Sequence, residues 1–240
     1  MKTITLIAYN RPHYLKRMLE SLSRNNLEGY HLYCGVEPNC QEVIDICKAI
    51  DFVPCMVHVN AVQMGITANA LGVLDRAFDA GSEFNVYLED DLLLAPDTLD
   101  LANWYATHPR QPECVLLNLC NCVEETPDKS GVKVINTTGF NSWGWVATRE
   151  SWHKWIRPNW FNDYNEVLGM QWGHGCWDWS INGFIRSNHL NVMRPTCCRV
   201  TNIGEVGTWN FTAEHVAQHK ETFGKVVLSD GSDRNYHIVE

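Results

Sequence analysis

Three consecutive carboxylates, Glu89, Asp90 and Asp91, follow the apolar strand-forming run Val86-Tyr87-Leu88, and Leu92-Leu93-Leu94-Ala95 resumes the apolar pattern. Acids that interrupt a core element repel one another and cost desolvation free energy unless a positive charge sits among them. A divalent cation meets that demand, and hard carboxylate oxygens suit Mg2+ or Mn2+. The carboxyl end of a strand is also where open α/β sheets bind nucleotides. The competing reading is a solvated turn before a helix that starts at Pro96 and Asp97. The apolar flanks on both sides favour the metal.

The elements that must carry these acids alternate strand and helix. A strand over Thr3–Ala8 leads through Asn10-Arg11-Pro12 into a helix, His13 to Ser23, with Leu15, Met18, Leu19 and Leu22 on one face. A second strand, Tyr30–Val36, ends at Glu37-Pro38-Asn39, and the next helix carries Val43, Ile44, Ile46 and Cys47. A third strand, Met56–Val59, precedes a helix from about Thr67 to Phe78, and the fourth strand delivers the acids. This order predicts right-handed βαβ crossovers and a mostly parallel sheet with flanking helices. Val115–Leu119 and Lys133–Ile135 read as further strands. Between Trp143 and Trp179 tryptophan is dense, which predicts core packing first and a sugar-stacking surface second. No linker divides the halves, so one α/β domain is expected over 1–240.

Composition narrows the function classes. The chain has 240 residues, 45% hydrophobic and 20% charged, enough for a sizeable core. A net charge of −9 argues against a general polyanion-binding surface. No apolar run approaches a membrane span and no signal-like segment leads the chain, so a cytoplasmic protein without a membrane partner is expected. Ten cysteines without a CxxC pair give little support for zinc, and those in apolar segments are expected as reduced thiols.

The acid triad after three βα units resembles the DXD-type motif of GT-A glycosyltransferases. More narrowly, Glu89-Asp90-Asp91-Leu92, followed by Ala95-Pro96-Asp97, resembles the EDDLxxAPD segment of glycosyltransferase family 13. Gly139-Phe140-Asn141-Ser142-Trp143-Gly144-Trp145 is similar to that family's glycine-tryptophan strand, and Trp177-Asp178-Trp179 to its WDDW segment, one acid short. Arg194-Pro195, Arg199 and Thr201 resemble its RPxxSRT stretch, and Phe211-Thr212-Ala213-Glu214-His215 its FFDQH. The resemblance implies inverting transfer from a UDP-sugar, GlcNAc or glucose, with Mn2+ or Mg2+ as cofactor. It makes Asp91 the metal ligand, sets Glu89 and Asp90 against the ribose and diphosphate-sugar, and makes Asp178 the base that deprotonates the acceptor hydroxyl. It also places Arg11, Glu37, Asn69 and Trp145 in the donor site. Each has a plainer alternative: Arg11 as a surface arginine before Pro12, Asp178 as the cap of a helix from about Trp179 to Asn188. The loop Gly204–Gly207 is expected to close over donor; His174 and His215 are candidates for phosphate or acceptor contact, although lone histidines are more often structural.

The family's Golgi members carry an anchor and stem, which this sequence lacks, so a microbial or viral enzyme is expected. Its acceptor is then a glycan, a protein or a hydroxymethylated DNA base. No obligate protein partner is evident. Two rival readings keep the fold: a nucleotidyl- or phosphotransferase, disfavoured because Asn10-Arg11-Pro12 is no glycine-rich loop, and a sugar-binding module without chemistry.

Overall fold

Along β1 (Lys2–Ala8), Ile4, Leu6 and Ala8 pack into one apolar layer and Ile7 into another, the alternation of a strand covered on both faces. The computed structural model describes residues 1–109, 111–121, 131–161, 176–204 and 226–239. Pro12 opens α1 (Pro12–Ser23), where its fixed φ and missing N–H cost nothing, and Leu15, Met18, Leu19 and Leu22 are buried as the spacing predicts. There follow β2 (Tyr30–Val36), α2 (Gln41–Lys48), β3 (Cys55–Val59), α3 (Gly65–Asp79), β4 (Phe84–Glu89), β5 (Leu92–Leu94), α4 (Thr98–Thr107) and β6 (Cys114–Asn118). The second half adds β7 (Lys133–Thr137), β8 (Trp145–Thr148), α5 (Arg149–Ser151), α6 (Trp177–Ser187), β9 (Asn191–Pro195), β10 (Val200–Asn202) and β11 (His237–Val239).

Nine strands form one sheet in the order β3-β2-β1-β4-β8-β6-β9-β7-β11. The first four are mutually parallel, as the βα alternation predicts. Beyond β4 the sheet turns mixed: β8 runs antiparallel between β4 and β6, and β7 and β11 oppose β9. Helices α1, α2 and α4 cover one face, while α3, α6 and the tryptophan-rich segment cover the other. The chain is thus a single mixed α/β domain.

Two expected helix starts move. Helix α3 begins at Gly65, whose φ of +77° suits glycine, because Glu37 accepts the N–H groups of Met64 and Gly65 there. Helix α6 begins at Trp177 with Cys176 as N-cap, so Asp178 lies inside the first turn and is not the cap. The tryptophans are mainly core. Trp160 stacks on Trp177 at 4.6 Å and Trp152 on Phe78 at 5.1 Å. Trp172 lies outside the described residues.

The small antiparallel ribbon of β5 and β10 is anchored by a buried ion pair. Asp97 precedes α4 but makes no cap bond. Its Oδ2 instead accepts from Arg199 Nε at 3.0 Å and from the Tyr236 hydroxyl at 2.8 Å. Arg199 and Asp97 are both 0% exposed, and the guanidinium also donates to the carbonyls of Cys197 and Gly131. Charges so deeply buried persist only when paired and hydrogen-bonded.

Candidate active site

Strand β1 has β2 on one side and β4 on the other, so the chain leaves the sheet in opposite directions at the β1/β4 boundary. A crevice opens at such a switch point, outside the carboxyl ends of the strands. Both chain segments that bear charge arrive there: Tyr9-Asn10-Arg11 after β1, and Glu89-Asp90-Asp91 at the end of β4. Arg11 Nη1 donates to Asp91 Oδ2 at 2.7 Å, and Nη2 donates to Asp90 Oδ1. The Tyr9 N–H donates to Asp90 Oδ2 at 3.2 Å. Asp90 and Asp91 are only 2% and 5% exposed.

Glu89 accepts from the Tyr87 hydroxyl at 3.1 Å. The Tyr87 ring stacks on Trp145 at 5.2 Å and meets Trp177 edge-on at 5.3 Å. Through Trp177 this packing brings the first turn of α6, and with it Asp178, towards the acids. Asp178 Oδ1 accepts the Trp179 N–H at 3.0 Å, and Ser142 donates its hydroxyl to the same carboxylate. The loop that carries Ser142 is held by Asn118, which donates to the Gly139 carbonyl and accepts from the Asn141 N–H, and by Asn182, which accepts from the Phe140 N–H.

Burial dominates the electrostatics. It pushes the Glu89 carboxyl well above its ordinary range, with Asp91 adding repulsion. It lifts Asp90 to about 6, against the attraction of Arg11. It raises Asp178 despite hydrogen bonds from the Trp179 N–H, its own backbone N–H and the Ser142 hydroxyl, all of which favour the ionised form. Burial opposes the charge on Arg11, but its attraction to Asp90 and Asp91 wins and raises that pKa. Asp178 is close enough for its charge to add to the upward pressure on Glu89 and Tyr87. Such opposed, buried titratable groups in a crevice mark functional sites.

Among the described residues no set of three or more His, Cys, Asp or Glu side chains forms a ready-made metal cage. The donor chemistry fits a cation nonetheless. Asp91 Oδ1 is buried without a hydrogen-bond partner, and Mg2+-like ions are commonly held by one or two carboxylates together with substrate phosphates. Gly204 closes this side: a Cβ there would lie 2.4 Å from Asp91 Oδ2, and the preceding Ile203 N–H donates to the Asp91 carbonyl at 2.8 Å.

The crevice therefore gathers Arg11, Glu89, Asp90, Asp91 and Asp178. Glu37, Asn69 and Trp145, expected in the donor site, are each held by contacts within the protein. Glu37 accepts at both carboxylate oxygens from the Met64 and Gly65 N–H groups and from Asn60. Asn69 donates to the Gly35 carbonyl and accepts from Asn60, so its amide is occupied beneath the crevice. Trp145 is 0% exposed and reaches the site only by supporting Tyr87. Helix-end capping accounts for Glu37, hydrogen bonds to the β2 backbone and Asn60 for Asn69, and apolar burial for Trp145. Sequence reasoning missed Tyr87, Ser142 and Asn118, whose roles depend on contacts distant in sequence. The sequence marks Gly204 only as part of a loop; its packing on Asp91 follows from β10 pairing with β5. His174, His215, Glu205–Gly207 and the 211–215 segment lie outside the described residues.

Sequence comparison finds no match among family models or curated proteins. Solved structures do match. S. aureus TarS 1–349 superposes with a TM-score of 0.52 at 13% identity, over 81% of this chain and 58% of TarS. GlyE of Streptococcus pneumoniae TIGR4 gives 0.52 at 16% identity, over 80% of this chain and 44% of GlyE. Mouse xyloside xylosyltransferase 1 gives 0.50 at 13% identity, over 78% and 82%. This chain thus spans little more than half of TarS 1–349 and less than half of GlyE. Among the described residues no helix is long and apolar enough to cross a membrane. The mixed sheet, its flanking helices and these neighbours together establish that the chain has the GT-A fold of nucleotide-sugar glycosyltransferases.

Proposed function

We propose that this chain is a divalent-cation-dependent, inverting glycosyltransferase that moves a sugar from a UDP-sugar to an acceptor hydroxyl. One observation carries the reading: the acid cluster stands at the switch point of the sheet, with the buried Asp91 Oδ1 unpartnered and the Asp178 carboxylate nearby. The family-13 motifs and the GT-A fold support the same assignment.

Asp91 is the ligand for Mn2+ or Mg2+, with Asp90 and Glu89 facing the diphosphate and ribose. When bound, the cation neutralises the charge that develops on the departing UDP. Arg11, freed from the carboxylates, adds a planar guanidinium suited to phosphate oxygens. Tyr87 fixes the Glu89 carboxylate by its hydrogen bond, and Trp145 fixes Tyr87. Asp178 accepts the proton of the acceptor hydroxyl as that oxygen attacks the anomeric carbon from the face opposite UDP. Burial raises the basicity of Asp178, which helps a base act near neutral pH. Ser142 and the Trp179 N–H hold its orientation. Glu37 and Asn69 shape the crevice wall from beneath by fixing the start of α3.

The donor is UDP-GlcNAc, with UDP-glucose as the second candidate; TarS 1–349 has been solved with UDP-GlcNAc. The acceptor hydroxyl lies on a glycan, a protein or a hydroxymethylated DNA base. Purified protein with Mn2+ and a panel of UDP-sugars, read as UDP release with and without EDTA and hydroxymethylated DNA, tests the reading. EDTA-sensitive release for one sugar supports it, and stimulation by the DNA identifies the acceptor class. Asp91→Ala is expected to abolish the release with the fold intact. Silence across the panel together with no UDP binding by calorimetry rejects the reading in favour of a non-catalytic module.

A further inference from the structure

Arg11 already supplies the positive charge that the acid cluster requires. Its guanidinium bridges Asp90 and Asp91, two carboxylates that follow β4, the strand beside β1. A dication and a guanidinium on the same carboxylates repel each other, strongly so in a crevice that excludes water. Arg11 and a metal ion therefore compete for Asp90 and Asp91.

The ion pair is also incomplete on both sides. Arg11 Nε and Asp91 Oδ1 are buried and neither has a hydrogen-bond partner. A buried polar atom left unpaired costs free energy, so this arrangement is weaker than a fully satisfied pair and open to exchange. The backbone of Arg11 is fixed: its carbonyl accepts the Tyr14 and Leu15 N–H groups at 3.1 Å each, and Pro12 follows it. Only the side chain is free to leave. The guanidinium carbon lies 5.7 Å from the centre of the Tyr14 ring, within cation–π range. A diphosphate would offer the departing guanidinium oxygen acceptors in the planar geometry it favours.

We propose that Arg11 is a built-in counter-cation, exchanged for the divalent cation only when a nucleotide diphosphate arrives to receive the guanidinium, so that cation and donor bind as one unit. The inference rests on the reading of this crevice as the metal and donor site. In the free protein Arg11 offsets part of the carboxylate charge and disfavours entry of stray divalent ions. With donor present, the acids pass to the metal and Arg11 to the phosphates, so each set of anions keeps a cationic partner.

The test is Mn2+ binding followed by electron paramagnetic resonance, with and without UDP, on wild type, Arg11→Gln and Arg11→Lys. Melting curves with and without Mn2+ form a second readout. Wild type is expected to bind Mn2+ weakly alone and tightly with UDP. Arg11→Gln is expected to bind Mn2+ alone about tenfold tighter than wild type, the loss of one charged competitor. Mn2+ should also raise its melting temperature more than that of wild type. Arg11→Lys keeps the charge but cannot bridge both carboxylates, so an intermediate affinity is expected, and it carries the test if Arg11→Gln does not fold. If both folded variants bind free Mn2+ no better than wild type while wild type binds Mn2+ with UDP, the exchange is overturned and the site assignment stands. If wild type binds neither Mn2+ nor UDP, the site assignment fails and the inference with it.

Discussion

Replacing Gly204 by alanine puts one methyl group against the acid cluster, and the outcome can be worked from the geometry. The new Cβ would lie 2.4 Å from Asp91 Oδ2 and 3.1 Å from Asn202 Oδ1, whereas ordinary contact begins at 3.4 Å. Asp91 must therefore retreat by about 1 Å, the difference between 3.4 and 2.4 Å. It has little room to do so, because Arg11 holds Oδ2 at 2.7 Å and the Ile203 N–H holds the main-chain carbonyl. Overpacking of this kind costs about 1–3 kcal/mol. For a chain of this length that lowers the melting temperature by about 2–12 °C. A shift of about 1 Å in a metal-binding carboxylate is expected to lower kcat/KM for UDP release about 100-fold, or about 2.7 kcal/mol of barrier. Gly72→Ala is the control. It lies inside α3, its Cβ would meet only the end of the Arg76 side chain at 3.4 Å, and a helix interior prefers alanine by about 0.5–1 kcal/mol. Circular dichroism, melting and UDP release on both variants decide the matter. A Gly204→Ala protein with kcat/KM within about threefold of wild type and an unchanged melting temperature refutes the claim that this backbone fixes Asp91.

Other expectations concern stability and pH. Asp97→Asn leaves the fully buried Arg199 without its carboxylate and should cost about 3–5 kcal/mol; the melting temperature then falls by about 6–20 °C, with little dependence on salt. Tyr236→Phe, which removes one hydrogen bond to Asp97, should cost only about 1 kcal/mol in urea denaturation. Because burial raises the Asp178 pKa above 3.8, the folded protein holds that proton to higher pH than the unfolded chain. The ionised group thus detracts from stability above its raised pKa, and the deficit vanishes as pH falls below 3.8. Asp178→Asn should therefore be more stable than wild type at pH 7.5, lose that advantage in acid, bind UDP normally and fail in transfer; near-normal transfer rates would remove Asp178 as the base. Glu37→Gln should cost about 1 kcal/mol at the N-terminus of α3, with a raised KM for the donor and little change in kcat.

The local pattern of the chain already determines the strands and helices of the first half, since apolar period and turn residues act over a few positions. Leu15, Met18, Leu19 and Leu22 face the core as spaced, and the acids end β4 where an apolar run breaks. The sequence also marks Asp178 by its setting between two tryptophans. What no local pattern holds is the order of strands. Arg11 meets Asp91 across 80 positions only because β1 lies beside β4, a choice made by sheet pairing. Likewise β8 enters antiparallel beside β4 and makes Trp145 a buried prop for Tyr87. Asp97 looks like a helix cap until Arg199, 102 positions later, draws its carboxylate away. The internal partners of Glu37 and Asn69, backbone groups and Asn60, likewise come from other segments. Sequence alone shows which residues carry charge and how most segments of the first half coil or extend. Tertiary structure decided which charges meet, because burial and pairing energies arise between segments that only the folded sheet brings together.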